Sequence, residues 1–288
     1  MLAFNHLGRL GYLANQMFQY AAIKGIAAYN NVDYMIPENN EMQLFEGFEM
    51  THSTNIRGFL GSTDLRDGRG TPISCDIVSE KGFEFDENLF NNPPQEASLY
   101  GFFQTEKYFL NVWDELQEDF TFKDEILTPC KEFISNIKGK IVSVHIRRGD
   151  YLQNSANHFN LSNEWFAEAI SKFPNHTVLV FSDDIAWCKK QSIFSDDRFM
   201  FSETEDGKIV RPDGRWDSIN MDHWYDLCLQ SLCDDNIISN STFSWWGAYL
   251  NKNFNKVVVA PDPKTKWFGP ANSHLNTKDI IPQSWEII

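Results

Sequence analysis

The sequence predicts an α/β protein in which the second half of the chain forms a doubly wound, Rossmann-like parallel sheet. Two observations support this fold class. Short segments rich in valine and isoleucine alternate with helical segments between residues 141 and 260, an order typical of parallel strands covered by helices. The chain has 288 residues, a length that favours two domains, each large enough to bury its own core.

The first half of the chain has fewer clear elements. A glycine-containing turn at 8–11 precedes a helical pattern at 15–29, and a predicted strand at 99–104 precedes a predicted helix at 106–120. The residues between 30 and 98 have the composition of loops and short strands. We place the domain boundary within 136–140, which gives an N-terminal domain of residues 1–138 and a C-terminal domain of residues 139–288.

The second half alternates regularly. It contains predicted strands at 141–146, 177–182, 198–202, 236–239 and 256–260, and predicted helices at 162–173, 184–192, 218–233 and 242–251. The first of these strands is an apolar run that ends abruptly in two arginines, which marks its carboxyl end.

The composition argues against several functional classes. The net charge of −15 disfavours nucleic acids and anionic membrane surfaces as partners, because both would be repelled. The five cysteines contain no C-x-x-C pair, so neither a disulfide scaffold nor a zinc site is expected. No basic leader and no run of eighteen apolar residues is present. We therefore predict a cytoplasmic protein without a membrane span, or one attached peripherally to the inner membrane face.

Three predicted strands end in side chains that suit a nucleotide. Arginine forks match phosphate oxygens, a carboxylate matches the N1–H and amine of guanine, and hydroxyls at a helix N-terminus suit phosphate. Because the carboxyl ends of parallel strands share one edge of a sheet, these groups predict a nucleotide site. The strand ends carry His145 to Arg148, Ser182 to Asp184, and Asn240 to Ser244.

Each of these signals also has a simpler interpretation. The arginines can pair with Asp150 and neighbouring acids. Asp184 and Ser241 can cap helices, and Asp183 can pair with a nearby lysine. Three converging signals on one sheet edge favour the nucleotide site over these separate alternatives.

The sequence lacks several motifs of catalysis and metal binding. It contains no Walker A sequence, no H-E-x-x-H, no G-x-S-x-G and no D-x-D. We therefore expect no metal and no cofactor, with arginine and helix dipoles neutralising the charge of a leaving diphosphate.

Five motifs follow one another along the chain: N-Q-M-F-Q-Y-A at 15–21, G-F-F-Q-T-E-K-Y-F at 101–109, H-I-R-R-G-D-Y at 145–151, F-S-D-D-I-A-W at 181–187 and N-S-T-F-S-W-W-G-A at 240–248. In this order they resemble the α-1,2-fucosyltransferase family, inverting enzymes that transfer fucose from GDP-β-L-fucose to a sugar hydroxyl. The resemblance implies a GT-B-like fold of two Rossmann-like domains facing a cleft. It also implies that the acceptor lies on the N-terminal side and the donor in the C-terminal domain, without a metal.

The resemblance implies roles for individual residues. Arg147 would bind the β-phosphate and His145 would lie against the nucleoside, while Arg148 and Asp150 would hold the loop in shape. Asp183 would recognise guanine, and the segment that begins at Ser241 would wrap the diphosphate. The expected donor-site residues are His145, Arg147, Arg148, Asp183, Ser241, Thr242 and Phe243.

Asn15 is the second catalytic candidate beside Arg147. Family members usually have Gly-Gly-Leu-Gly followed at once by Asn-Gln, whereas here Arg9 replaces a glycine and residues 12–14 intervene before Asn15. The Gly-Arg-Leu-Gly form resembles the peptide O-fucosyltransferases, in which the following asparagine lies at the reaction centre. The alternative is that Asn15 only caps its helix. An asparagine cannot remove a proton at neutral pH, so the general base stays open among the acids of residues 30–90.

The predicted function is that of a metal-independent galactoside α-1,2-fucosyltransferase with GDP-fucose as donor and a galactose-containing glycan as acceptor. One alternative is a transferase of similar fold that uses another nucleotide sugar or another hydroxyl. The other is a non-catalytic nucleotide- or glycan-binding protein. Trp216, Trp224 and Trp267 could stack on sugar rings, although core packing explains them equally well.

Overall fold

A computed structural model describes residues 1–37, 42–53, 58, 60, 75–202 and 222–288. The chain forms two compact units. The first contains Met1–Phe122 and Leu275–Pro282, and the second contains Lys123–His274 and Gln283–Ile288. Within the described ranges, no helix combines the length and the apolar character needed to cross a membrane.

The first unit is built on a four-stranded parallel sheet with the strand order β2-β1-β4-β3. Its strands are β1 (Leu2–Ala3), β2 (Tyr34–Met35), β3 (Asp76–Ser79) and β4 (Ala97–Tyr100). Its helices are α1 (Leu13–Tyr29), α2 (Leu44–Gly47), α3 (Glu87–Asn91) and α4 (Trp113–Asp119). The helix predicted at 106–120 is thus shorter than expected. Two 3₁₀ turns precede it, since Phe109 between them has φ −142°, outside the helical region.

Helix α1 is the central helix of the first unit. Nearly all of its residues are buried, and its small residues permit close packing. A Cβ on Gly25 would lie 1.9 Å from the Tyr108 carbonyl oxygen, so no larger residue fits there. Two buried polar side chains of the helix share one partner, because Asp119 accepts hydrogen bonds from Lys24 at 2.6 Å and from Tyr20 at 2.7 Å. This packing fixes the position of Asn15 in the first turn of the helix.

The second unit contains a six-stranded, fully parallel sheet with the order β10-β9-β8-β5-β6-β7. This sheet confirms the predicted α/β class. Its strands are β5 (Ile141–Ile146), β6 (Thr177–Ser182), β7 (Phe199–Phe201), β8 (Asp235–Ile237), β9 (Val258–Ala260) and β10 (Glu286–Ile287). Its helices are α5 (Asp124–Ser135), α6 (Gly149–Gln153), α7 (Asn163–Ser171), α8 (Ile185–Cys188), α9 (Asp222–Leu232), α10 (Thr242–Tyr249) and α11 (Pro263–Lys266).

Some elements differ from the prediction. Helix α5 was not predicted, and it contains Pro129, although a proline normally interrupts a helix. It packs against α9 and therefore belongs to the second unit, although it precedes the predicted boundary at 138/139. The assignment of acceptor and donor roles to 1–138 and 139–288 stays a prediction. The predicted start of α9 at 218–221 lies outside the described residues.

Candidate functional site

The three predicted strand ends meet at one edge of the six-stranded sheet, because β5 lies between β8 and β6. His145 Nδ1 lies 2.8 Å from Ser239 Oγ, which joins the end of β5 to the segment after β8. Arg147 Nη1 lies 3.0 Å from Asp183 Oδ2, which joins β5 to the end of β6. The side chains predicted to form a nucleotide site are therefore neighbours.

The Arg147 guanidinium lies between two carboxylates. Its Nη2 donates to Asp150 Oδ1 at 2.6 Å, and its Nη1 lies 3.0 Å from Asp183 Oδ2. The pairing with acids that the sequence allowed as an alternative is thus present. However, the Asp150 side chain is 63% exposed, and ion pairs of this exposure contribute at most about 1 kcal/mol. The pair orients Arg147 at the sheet edge while leaving it able to exchange a carboxylate for phosphate oxygens.

The Arg148 side chain contacts different residues from those that bind Arg147. Its Nε lies 3.2 Å from Asp184 Oδ2, and its guanidinium carbon lies 3.5 Å from the centroid of the Trp187 ring, a cation–π contact. These contacts fit the predicted role of supporting the loop. Asp150, which was expected to support the loop together with Arg148, bonds Arg147 instead. That Arg148 itself contacts a donor stays a prediction.

Asp183 holds the loop after β5 with both carboxylate oxygens. Oδ1 accepts the backbone N–H of Arg148 at 2.9 Å, and Oδ2 pairs with Arg147. A Cβ on Gly149 would lie 2.6 Å from Oδ2, so a larger residue there would displace the Asp183 carboxylate from these contacts. The role of Asp183 in recognising guanine stays a prediction. Its contacts add a second role, the positioning of Arg147.

His145 is a buried, neutral imidazole. Burial lowers its pKa to about 3, and the charge of Arg147 lowers the pKa in the same direction. The ring centroid lies 5.7 Å from that of Phe243. The hydrogen bond to Ser239 fixes the ring orientation, so His145 offers a constant, uncharged surface beside the two arginines.

Acidification should destabilise the fold through His145. In the unfolded chain His145 is protonated below a pH of about 6.5, whereas in the folded protein it stays neutral down to about pH 3. This contribution is therefore present above pH 6.5 and is lost as the pH falls towards 3, on the order of 2 kcal/mol between pH 7 and 5. Unfolding free energies measured from pH 5 to 8 should fall more steeply on acidification in the wild type than in His145→Gln. The same pH dependence in both proteins would contradict the assignment.

Helix α10 begins at the same edge. Ser241 is its N-cap and accepts the Phe243 N–H at 3.3 Å, so the capping interpretation is confirmed for this residue. Thr242 and Phe243 are partly exposed in the first turn, where free N–H groups and the helix dipole favour an anion. The Asn240 side chain donates to two backbone carbonyls at 2.9 and 2.8 Å, which fixes the turn before the helix.

In the first unit, Asn15 lies in the first turn of α1, and its Oδ1 accepts from Gln104 Nε2 at 3.0 Å. The N-cap is Tyr12, which makes no side-chain cap bond, so the alternative that Asn15 only caps the helix is wrong. Gly11 has φ +85°, and a Cβ there would lie 2.3 Å from Asn15 Nδ2. Of the three additional residues, Tyr12 is the N-cap and is 83% exposed, and the other two are the first residues of α1.

Sequence reasoning did not single out Glu80, which directly follows β3. Its carboxylate accepts the N–H groups of Phe102 at 2.7 Å and Phe103 at 3.0 Å. Burial raises the pKa of Glu80 to about 7, although these two hydrogen bonds lower it. Near neutral pH such a group can accept a proton. No local pattern distinguishes Glu80 from the other acids of residues 30–90.

Two of the three tryptophans considered for sugar stacking belong to the core. Trp224 is fully buried and Trp267 is 3% exposed, so core packing is the correct interpretation for both. Trp216 lies outside the described residues.

Comparison with known proteins gives the family. Residues 4–274 match the sequence model of glycosyl transferase family 11, which spans most of the chain. The chain belongs to glycosyl transferase family 11. This membership confirms the predicted resemblance to fucosyltransferases.

Two relatives show which proteins the chain resembles in sequence. The chain is 36% identical over 210 residues to an alpha-1,2-colitosyltransferase of Escherichia coli, a match that covers 70% of this chain and 66% of the relative. It is 25% identical over 259 residues to the galactoside alpha-(1,2)-fucosyltransferase 1 of Alouatta caraya, covering 83% of this chain and 63% of the relative. The chain thus spans slightly less than two thirds of the length of these relatives.

Among solved structures, the fold resembles that of POFUT1 in its apo form. The TM-score is 0.50 with 12% sequence identity, and the match covers 90% of this chain and 97% of that one. At this identity the likeness concerns the fold alone. It confirms the predicted α/β, GT-B-like fold class.

Proposed function

We propose that this family 11 chain transfers L-fucose from GDP-β-L-fucose, with inversion, to a sugar hydroxyl, with the 2-hydroxyl of a terminal galactose as the first candidate. The observation that supports this most is the position of Arg147. Its guanidinium lies at the sheet edge where β5 and β6 end, and His145 at the end of β5 contacts Phe243 in the first turn of α10. That edge combines planar cationic donors, a helix N-terminus and a neutral imidazole, the groups that suit a nucleoside diphosphate.

The proposed reaction is a single displacement. The acceptor hydroxyl gives its proton to a general base among the acids of residues 30–90, and its oxygen forms a bond to the anomeric carbon. The bond from that carbon to the β-phosphate oxygen breaks at the same time, and its electron pair leaves with GDP. Arg147 stabilises the negative charge that develops on the diphosphate. Asn15 has an amide whose Oδ1 is fixed by Gln104, which suits it to orient a hydroxyl. The proposal requires no metal, since arginine and the α10 dipole supply the positive charge.

The colitosyltransferase relative gives a second donor candidate. The chain is 36% identical over 210 residues to this relative, compared with 25% over 259 residues for the galactoside alpha-(1,2)-fucosyltransferase 1 of Alouatta caraya. We therefore extend the proposal to the corresponding colitose donor. A competition experiment with both activated sugars would show which of the two donors the protein prefers.

Nucleotide binding tests the donor site without an acceptor. Saturating GDP should raise the unfolding temperature, because a ligand that binds only the folded state stabilises it by RT ln(1 + [L]/Kd), about 2.7 kcal/mol at a hundredfold excess over Kd. UDP at the same concentration should give little protection, since uracil lacks the amine and N1–H groups that Asp183 is proposed to recognise. Equal protection by both nucleotides would contradict the guanine assignment.

A further inference from the structure

Tyr151 closes the H-I-R-R-G-D-Y motif, and neither the predicted site nor the proposed reaction gives it a role. Its ring centroid lies 5.4 Å from the guanidinium carbon of Arg147. Its ring also stacks on the imidazole of His158, with centroids 4.0 Å apart and an interplanar angle of 11°. Tyr151 is therefore fixed by aromatic contacts directly beside the arginine proposed to bind the β-phosphate.

The Tyr151 hydroxyl reaches a second part of the site. It donates to the backbone carbonyl of Asn240 at 3.1 Å, immediately before Ser241, the N-cap of α10. Burial raises the pKa of Tyr151 to about 12, so the hydroxyl keeps its proton and donates throughout the neutral range. One side chain thus contacts both the arginine loop and the backbone that opens α10.

Further contacts hold the residues on both sides of this hydrogen bond. The Asn240 side chain donates to the carbonyls of Phe159 and Trp267 at 2.9 and 2.8 Å. His158, which stacks on Tyr151, pairs with Phe268 in an isolated β-bridge. Asn240, whose carbonyl accepts from Tyr151, is therefore also anchored through its side chain, and Tyr151 connects it to the Arg147 loop.

We propose that Tyr151 is a positioning residue that fixes the Arg147 guanidinium relative to the N-terminus of α10, so that one diphosphate is bound by both. This inference rests on the proposed function, because it assumes that the two elements share a nucleoside diphosphate. A planar guanidinium and a row of backbone N–H groups bind the same anion well only when their separation matches it. Removing the tyrosine hydroxyl leaves the Arg147 loop and helix α10 intact, but the distance between them is then less well fixed.

The test is a double-mutant cycle on GDP affinity. Tyr151→Phe should weaken GDP binding about fivefold, the effect of losing one ordinary hydrogen bond. In an Arg147→Ala background, the same change should cost almost nothing more, because a residue that acts through Arg147 has nothing left to position. Turnover with GDP-fucose should show the same non-additivity.

Tyr225→Phe is the matched control. The Tyr225 hydroxyl also donates to a backbone carbonyl, that of Glu125, at 3.3 Å in the same unit. We expect both tyrosine variants to lose similar thermal stability, while only Tyr151→Phe loses GDP affinity. If Tyr151 had a merely structural role, Tyr151→Phe and Tyr225→Phe would lose the same GDP affinity, or the loss from Tyr151→Phe would add to that from Arg147→Ala. Either result would overturn the inference.

The same titrations separate this inference from the proposed function. If the wild type binds no GDP, the proposed function and this inference both fail. If the wild type and Tyr151→Phe bind GDP equally well, this inference alone fails.

Discussion

Replacing Arg147 with alanine should lower the turnover of GDP-fucose by about 10²–10³, the loss seen when one preorganised donor to a developing negative charge is removed. The guanidinium is held at the sheet edge by Asp150 and Asp183, so it needs no reorganisation when the diphosphate departs. Steady-state rates at saturating donor measure the effect. Arg147→Lys should recover only part of the activity, because an ammonium group lacks the planar fork.

Lys190→Ala is the control for Arg147→Ala. Lys190 is exposed in the same unit, so this variant removes an equal charge without touching the site edge. Its turnover should match that of the wild type. Near-normal turnover in Arg147→Ala would show that the diphosphate is stabilised elsewhere.

Replacing Asp183 with alanine should weaken GDP binding by about 10-fold to 100-fold, because the carboxylate makes charge-assisted hydrogen bonds worth about 1.5–3 kcal/mol. Asp183 holds both the Arg148 backbone N–H and the Arg147 side chain. The change therefore loosens the loop in addition to removing the proposed partner of guanine. Calorimetric titration with GDP measures the loss, and Asp197→Ala, an exposed acid of the same unit, serves as the control.

The two roles of Asp183 can be separated with inosine diphosphate, which lacks the exocyclic amine of GDP. If Asp183 recognises guanine, the wild type should prefer GDP over inosine diphosphate, and Asp183→Ala should lose this preference. If Asp183 only positions the loop, both affinities should fall by the same factor. Unchanged GDP affinity in Asp183→Ala would contradict both roles.

Strands and motifs with a strong local signal were predicted well. Strands β5 and β6 have the predicted ends, 141–146 and 177–182, because buried parallel strands appear as apolar runs with polar breaks. The parallel topology alone was enough to predict that their carboxyl ends lie at the same edge of the sheet. Local pattern and burial agree at these positions, so the sequence was sufficient.

The prediction failed where tertiary packing overrides local preference. A continuous helical pattern at 106–120 is broken at Phe109, whose ring packs 6.3 Å from that of Phe18 on α1. Helix α5 forms despite Pro129, since its apolar face packs on α9. Neither outcome depends on residues within a local window.

Within the site, residue types were easier to predict than partners. Asp150 pairs with Arg147, and Arg148 pairs with Asp184. Neither pairing could be decided from the sequence, because both arginines have acids within reach. The raised pKa of Glu80 depends on its burial, which outweighs the opposing effect of the hydrogen bonds from Phe102 and Phe103. Such environments arise only when distant segments come together.

Characterising the reaction product tests the proposed function most directly. The protein is incubated with GDP-β-L-fucose and a panel of galactose-terminated acceptors, and the linkage of the product is determined by NMR. We predict release of GDP together with an α-linked fucose on the 2-hydroxyl of galactose, since inversion of a β-linked donor gives an α product. Fucose transferred with retention, or no transfer to any acceptor by a folded protein that binds GDP, would contradict the account.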